Sequence, residues 1–150
     1  MSNKMGLHLY SIANLTLLDK DGKVKESRVE KNLITDAGFD FLCQQIAEAT
    51  QNSMVYSGVG SGSTAANASD TTLELESARE SGTYAHTGGT KVFTNTNVFG
   101  PGVATGEVRE AGLLNESSSG SLLNRVVFSV INKGASDSLQ VEWTGTLSEA

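Results

Sequence analysis

The sequence predicts an all-β protein, a jelly-roll-like antiparallel β-sandwich with one α-helix at about residues 36–49. Three observations indicate this fold class. Apolar and polar side chains alternate with a period of two in many short runs, which polar turn sequences separate. Only one long segment changes to helical spacing. Gly, Ser, Thr and Asn are abundant while proline occurs once, a composition that favours strands and turns over a helical bundle.

Chain length and composition predict one domain. A chain of 150 residues can bury a sizeable core, and no composition shift or internal repeat divides it. We therefore predict a single β-sandwich domain over residues 1–150, with a short flexible N-terminal segment and a disordered loop at 61–69. A single cysteine excludes an internal disulfide framework, so packing or partners must stabilise the fold.

The first two predicted strands form a hairpin. Residues 7–18 alternate in polarity, and "DKDG" at 19–22 is a turn signal. Residues 23–30 return as a charged strand, which suits a sheet edge because charge discourages unwanted pairing. The predicted apolar face of the first strand consists of Leu7, Leu9, Ala13, Leu15 and Leu17.

The predicted helix follows this hairpin. Its apolar stripe recurs at i, i+3, i+4 and i+7, and either Thr35 or Asp36 can cap its start. Cys43 lies on that stripe, so we predict a plain buried thiol. The stripe comprises Phe39, Leu42, Cys43 and Ile46.

The remainder of the chain predicts five more strands and one helical turn, for about seven or eight strands in all. Residues 53–59 form a short strand, and Thr71 and Glu74 have the capping-box spacing that starts a helical turn in 70–80. In the last strand, Leu139, Val141, Trp143 and Leu147 are predicted to point inward. The other strands are "GTKVFTNTNVFG" (89–100), "ATGEVREAGLLN" (104–115), "SLLNRVVFSVIN" (121–132) and "LQVEWTGTL" (139–147).

The charge balance excludes broad classes of partner. The formal net charge is −6, and an acidic domain without a Lys/Arg cluster repels nucleic-acid backbones. No run approaches the roughly 18 apolar residues of a membrane span, and the N-terminus lacks a signal-peptide pattern. We therefore expect neither a nucleic-acid nor a membrane partner.

The stretch "SGVGSGSTAANASD" (57–70) raises the question of a phosphate-binding loop. A P-loop needs a lysine after its glycines, and no lysine occurs from 32 through 90. The glycines follow G-x-G-x-G spacing rather than G-x-G-x-x-G, and acidic residues come next. We interpret this stretch as a flexible connection between a strand and the helical turn.

No pattern in the sequence predicts catalysis, a cofactor or a metal. His8 and His86 lack neighbouring ligands, and we interpret them as a strand-surface and a loop histidine. Two carboxylates for sugar chemistry could come from Glu107 and Glu110 with Asp36 or Asp40. Strand alternation puts Glu107 and Glu110 on opposite faces, so that pair cannot act together unless a bulge intervenes.

Two arginines lie close in the predicted sheet to the same glutamates. Arg109 and Arg125 fall on neighbouring predicted strands, near Glu107 and Glu110. This placement indicates an ion-pair cluster, with a subunit contact as the alternative. In either case it is not catalytic, and the chain is predicted not to be an enzyme.

Four ordered segments resemble a family of small tailed-phage virion proteins, known as cement or head-decoration proteins and in some cases as tail or fibre proteins. The resemblance covers most of residues 31–150. Its motifs are a helix start at 32–38, a Gly/Ser loop followed by Asp70 and Arg79, and a hairpin around 110–112. The polar hairpin near 20–30 departs from the family pattern. The segments are "KNLITDAGFDFL", "GVGSGST" with "DTTLELESAR", "VFGPGVATGEVREAGLLN" and "LLNRVVFSVINKGASDSLQVEW".

This resemblance implies a jelly-roll cement protein that binds the outside of a phage head and stabilises the mature particle. Its implied partners are the major capsid protein and further copies of itself, as a homodimer or homotrimer. It implies no catalytic, cofactor or metal residues. The alternative is a tail-fibre, spike or other tail-associated module that engages a host receptor or another tail protein.

Overall fold

The computed structural model describes residues 6–149, in which ten strands form two five-stranded antiparallel sheets. The elements are β1 (Leu7–Leu18), β2 (Val24–Lys31), β3 (Leu33–Ile34), α1 (Asp36–Ala47), β4 (Tyr56–Gly60), β5 (Glu76–Ser81), β6 (Thr83–His86), β7 (Val92–Phe99), β8 (Gly106–Leu114), β9 (Leu122–Lys133) and β10 (Ser138–Glu149). Sheet A has the order β2-β1-β10-β7-β6, and sheet B has the order β3-β9-β8-β4-β5.

The predicted all-β sandwich with one helix is confirmed within the described residues, although it has more strands than the seven or eight expected. The finer jelly-roll designation stays a prediction. The predicted flexible N-terminal segment falls largely on residues 1–5, which lie outside the described range.

Sheet A is built around the pairing of β1 with β10. The two strands pair over their full length, with Ala13 opposite Trp143 and Leu15 opposite Val141. Alternation places these side chains on the inner face, where all four are fully buried. Leu7 is the exception to the predicted apolar face, because it lies exposed at the end of the strand. β2 forms one edge of the sheet, as its charged sequence predicted.

The core lies between the two sheets and takes side chains from both. Trp143 and Phe99 from sheet A are its largest fully buried apolar side chains. They pack in one cluster with inner residues of β8 and β9, such as Val108 and Val126. Burying each large side chain stabilises the fold by about 1.5–3 kcal/mol, so this cluster dominates the folding energy.

Polar side chains join the two sheets inside the core. The indole N–H of Trp143 donates to Ser57 Oγ at 2.6 Å, and the Ser57 hydroxyl is 2.6 Å from Asn97 Oδ1. Asn97 Nδ2 in turn donates to two carbonyls on the sheet B side, that of Val55, which precedes β4, and that of Glu80 in β5. The asparagines of β7 thus occupy inward positions, in the alternation that the sequence predicted.

The helix begins where predicted but ends two residues early, at Ala47. Thr35 is the cap: its Oγ1 accepts from the Gly38 N–H at 2.9 Å and donates to the Leu122 carbonyl at 2.6 Å. The cap therefore satisfies a free helix N–H and also ties the helix start to β9.

The predicted buried face of the helix is wrong except at Leu42, which is partly buried and packs against the core. Cys43 is exposed, Phe39 is nearly half exposed and Ile46 is 81% exposed, whereas Gly38 and Phe41 are buried. A Cβ on Gly38 would lie 2.3 Å from the Leu123 carbonyl oxygen, so the helix touches β9 at its glycine. The face that includes Gly38 therefore turns inward and leaves Cys43 outside.

The helical turn predicted in 70–80 is also wrong. Residues 76–81 form β5, an edge strand paired with β4, and the preceding residues have no helical structure. Glu74 does not cap a helix, because its carboxylate accepts from the Thr64 N–H and hydroxyl, both at 2.8 Å. The prediction of a loop at His86 is also wrong, because His86 is the last residue of β6.

Candidate functional site

Part of the outer face of sheet B is covered by the chain itself. Residues 61–75, which we call the cover segment, leave β4, cross the outer side of the sheet and return as β5. Its Leu73 packs with Leu114, Leu122 and Tyr56 in a second apolar cluster, separate from the main core. The Gly/Ser stretch is therefore neither a phosphate-binding loop nor the predicted disordered connection.

Glycines let the cover segment approach the strands. A Cβ on Gly60 would lie 2.2 Å from the Leu75 carbonyl oxygen, and one on Gly58 would lie 2.9 Å from Leu73 Cδ1. On the neighbouring strand, a Cβ on Gly112 would lie 2.9 Å from Leu73 Cδ2. Side chains at these positions would lift the segment off the sheet, so the alternating glycines serve close packing.

A buried carboxylate fastens the cover segment to sheet B. Glu110 Oε1 accepts from the N–H groups of Gly62 at 3.1 Å and Leu75 at 2.7 Å. Glu110 Oε2 accepts from the Glu74 N–H at 3.0 Å and from Arg125 Nε at 2.9 Å. Because a carboxylate has about four acceptor positions, this one has none left for a substrate proton. Glu110 is also fully buried, so it is a fastening group rather than a general base.

Arg125 holds the other end of this network. It is 2% exposed, and its Nη1 donates to Asp70 Oδ2 at 2.9 Å. Its Nη2 donates to the Thr64 carbonyl at 3.1 Å and lies 3.4 Å from Glu74 Oε2. Burial alone would lower the pKa of Arg125, but hydrogen bonds to Asp70 and Glu110 outweigh it and raise the pKa. The guanidinium therefore stays charged and binds the segment at several points.

The other predicted residues do not join this network. Arg109 pairs with Glu107 at the surface, with Nη2 and Oε2 3.1 Å apart. The four residues of the predicted ion-pair cluster are thus divided: Arg109 and Glu107 form a surface pair, whereas Arg125 and Glu110 belong to the buried network that also includes Asp70 and Glu74. A register shift between Val108 and Glu110 interrupts the regular strand alternation from which opposite faces were predicted for Glu107 and Glu110. The two glutamates nevertheless have different partners, since Glu107 pairs with Arg109 and Glu110 with Arg125.

The remaining candidates for chemistry lie apart on the surface. Asp36, Asp40 and His8 are exposed, and His86 Nδ1 lies 2.7 Å from the Val92 carbonyl oxygen within the β6–β7 hairpin. Among residues 6–149, no three His, Cys, Asp or Glu side chains are grouped so that they could hold a metal ion. Within the same range, no helix has the length and apolar character needed to cross a membrane.

The outward side chains of β1, β7 and β10 are all half-buried or exposed, so within residues 6–149 no segment covers the outer face of sheet A. On β1, β7 and β10, alternation turns polar and β-branched side chains outward, and Glu142 is the one Asp, Glu, Lys or Arg among them. Threonines occupy adjacent outward positions, with Thr144 paired to Thr94 and Glu142 paired to Thr96. Val98 and Tyr10 are about half exposed there. An acidic protein therefore presents a nearly uncharged sheet face. Strand alternation in the sequence indicated this surface, whereas the covering of sheet B left one local signal, the two-residue spacing of Gly58 and Gly60.

Comparison with known proteins yields no relative: no protein-family model, curated protein or solved structure matches this chain.

Proposed function

We propose that this protein is a structural virion protein of a tailed phage, a cement protein that binds the outside of the major capsid protein lattice. The observation that carries the proposal is the uncovered outer face of sheet A. The centres of protein interfaces are depleted of charged residues, and this face has one charged side chain on its three central strands. The resemblance of the four ordered segments to cement proteins supplies the identity of the partner.

The described side chains favour a binding role over catalysis. The buried carboxylate of Glu110 has all its acceptor positions filled, and the buried guanidinium of Arg125 is bound to protein groups on each nitrogen. Charged groups whose hydrogen-bonding positions are all occupied by protein groups stabilise the fold and have no free position with which to activate a substrate. We therefore propose a non-enzymatic protein.

Mass action explains how such a protein would stabilise a phage head. A protein that binds only the assembled lattice stabilises it over every dissociated state. Several linked copies strengthen the attachment further, because each bound copy raises the effective concentration of the next. The proposed role thus requires a rigid binding face and no chemical step.

The first experiment localises the protein on intact virions by immunogold electron microscopy. The proposal predicts label spread over the heads, and particles without the protein should lose heat resistance. Label confined to the tail, or heads of unchanged heat resistance, would contradict it.

A matched pair of variants tests which face binds. Val98→Lys puts a charge on the outer face of sheet A, and Leu75→Lys puts the same charge at an exposed apolar residue of the cover segment. We expect Val98→Lys to weaken binding to heads that lack the protein by roughly tenfold or more, since a buried unpaired charge costs over 1.4 kcal/mol. Leu75→Lys should bind as the unaltered protein does. Equal binding by both variants would exclude this face.

Two exposed tyrosines favour the second candidate, a tail-associated module that binds a host receptor. Tyr10 and Tyr84 are each about half exposed, and amphipathic aromatic rings are common at binding surfaces. Trp143, the sole tryptophan, is fully buried and unavailable for this purpose. Tail-confined label in the same microscopy experiment would make this the working hypothesis.

A further inference from the structure

The four edge strands of the sandwich differ in how they are protected from pairing with another chain. Edges expose unpaired N–H and C=O groups, and charged side chains or short length protect them. β2 has five charged residues among eight, β5 has three among six, and β3 has only two residues. β6, with the sequence TYAH, contains no Asp, Glu, Lys or Arg.

The uncharged character extends beyond β6 itself. The run from 81 to 90, "SGTYAHTGGT", contains no Asp, Glu, Lys or Arg, and every residue in it except Gly82 is exposed. Tyr84, in the middle of the strand, is 54% exposed. Since alternate residues of an edge strand direct their backbone groups outward, this edge can accept another strand without bringing charges together.

Space for added side chains exists on both faces of the sheet beside β6. On the inner side, a cavity of about 230 Å³ lies between Tyr84, Phe93 and the Leu42 side of the helix. On the outer side, a shallow cleft is lined by Ala85, Thr87 and Val92 among others. A strand added to an edge directs its side chains alternately to the two faces, so both sets find room here.

We propose that β6 pairs antiparallel with β6 of a second copy, which joins the two A sheets into one ten-stranded sheet. Each copy has a formal charge of −6, so two copies repel each other. Contact through an uncharged edge brings the fewest like charges close together. Antiparallel pairing of identical strands is self-complementary about a two-fold axis, the commonest symmetry of protein dimers.

The sequence of β6 selects one register. A two-fold axis normal to the sheet requires one residue to face its own copy, and Ala85 offers the smallest side chain in the strand. Tyr84 then faces His86 of the second copy, and Thr83 faces Thr87, pairings of the aromatic and Thr–Thr kinds that stabilise antiparallel sheets. Centring on Tyr84 instead would place Thr83 opposite Ala85 and Tyr84 opposite its own copy, which loses both the Tyr–His and the Thr–Thr pairing.

The test measures self-association of the purified full chain by sedimentation velocity over a dilution series. We expect a reversible dimer for the unaltered protein. Ala85→Lys places two like charges opposite each other at the axis and should raise the dimer dissociation constant by roughly tenfold or more. Ala85→Glu should do the same, and an equimolar mixture of the two variants should form heterodimers.

Val29→Lys is the matched control, because it adds the same charge at an exposed position on β2, the opposite edge of the same sheet. It should dimerise as the unaltered chain does, and circular dichroism should show all variants folded. In the unaltered protein, amide exchange in residues 83–87 should slow as the concentration rises, a readout that needs no substitution.

A chain that stays monomeric throughout, a dimer indifferent to Ala85→Lys, or equal weakening by Val29→Lys would overturn the pairing. Failure of the Lys and Glu variants to form heterodimers would overturn the register centred on Ala85. The inference does not depend on the proposed function, since self-association is measured without any phage component.

Discussion

The outer faces of the two sheets are opposites. Sheet B is covered by residues 61–75 of its own chain and buries a charged network beneath that segment, whereas sheet A is bare and nearly uncharged. Strand alternation alone gives both sheets an outward face, so the difference arises from the cover segment. The part of sheet B that lies beneath the cover segment is unavailable to a partner, whereas the outer face of sheet A is accessible along its three central strands.

The largest expected effect comes from removing the group that fastens the cover. Glu110→Ala leaves Arg125 and three backbone N–H groups without their shared acceptor. Breaking a buried pair on one side costs about 3–5 kcal/mol, so the free energy of unfolding in urea should fall by that amount.

Glu107→Ala is the control for this prediction. It removes a carboxylate that pairs with Arg109 at the surface, where ion pairs contribute about 0–1 kcal/mol. If both substitutions lowered the free energy of unfolding equally, the buried network would not be what holds the cover segment.

A smaller effect is expected from adding one methyl group beneath the cover. The Cβ of Gly60→Ala would lie 2.2 Å from a backbone oxygen, that of Leu75, so the segment must shift. Overpacking of this kind costs about 1–3 kcal/mol, measurable as a lower urea midpoint with an unchanged slope.

Gly88→Ala provides the comparison, because its Cβ would meet nothing within 4 Å in the β6–β7 hairpin. Where the backbone tolerates alanine, this change stabilises a protein by about 0.4–1 kcal/mol. Destabilisation by Gly88→Ala as large as that by Gly60→Ala would mean that backbone freedom, rather than close packing, sets the cost.

Acid should loosen the cover before it affects the bare face. The pKa of Glu74 lies below its ordinary value of 4.5, chiefly because its carboxylate accepts the Thr64 N–H and hydroxyl, with Arg125 adding to the effect. A carboxylate whose pKa is lower in the folded state than in the unfolded state stabilises the fold. This stabilisation is complete when the pH is above the ordinary pKa of 4.5, and it is lost as the pH falls through the lowered pKa of the folded state. The protection of the Thr64 amide, measured relative to its intrinsic exchange rate at each pH, should therefore fall below about pH 4.5.

Two substitutions separate this effect from general acid sensitivity. Glu74→Gln should flatten the pH dependence of this protection at Thr64. Asp137, whose pKa is lowered chiefly by its hydrogen bond with Lys25 and then by the Gly134 N–H, lies between β9 and β10, away from the cover segment. Asp137→Asn should leave the Thr64 response in place, and loss of that response would place its origin elsewhere.

Sequence patterning predicted those parts of the fold in which the residues of a single strand show which of its faces is buried. Leu15 and Val141 alternate with polar neighbours, and their burial follows from that spacing alone. The helix face was mispredicted because Gly38, which makes the closest contact with β9, contributes nothing to an apolar stripe. Hydropathy thus identifies apolar side chains, but it does not identify the positions at which one backbone segment must approach another closely.

Sequence patterning could not predict the charged network beneath the cover segment. Arg125 and Glu110 are charged residues, which sequence patterning assigns to the surface. They are buried only because residues distant in sequence fold over them. The two-residue spacing of Gly58 and Gly60 was the one local signal that another segment lies against this strand. It indicates close packing but does not identify which segment packs there.

The smallest expected effect concerns the bare face. Val98→Lys changes an outward side chain of β7 that is 51% exposed, away from the core and the cover segment. Surface changes of this kind usually alter the free energy of unfolding by no more than about 0.5 kcal/mol, so the urea midpoint should barely move. A loss of head binding by this variant would then reflect the surface itself. A large drop in stability would instead mean that the outer face of sheet A supports the fold, and the contrast between the two sheets would fail.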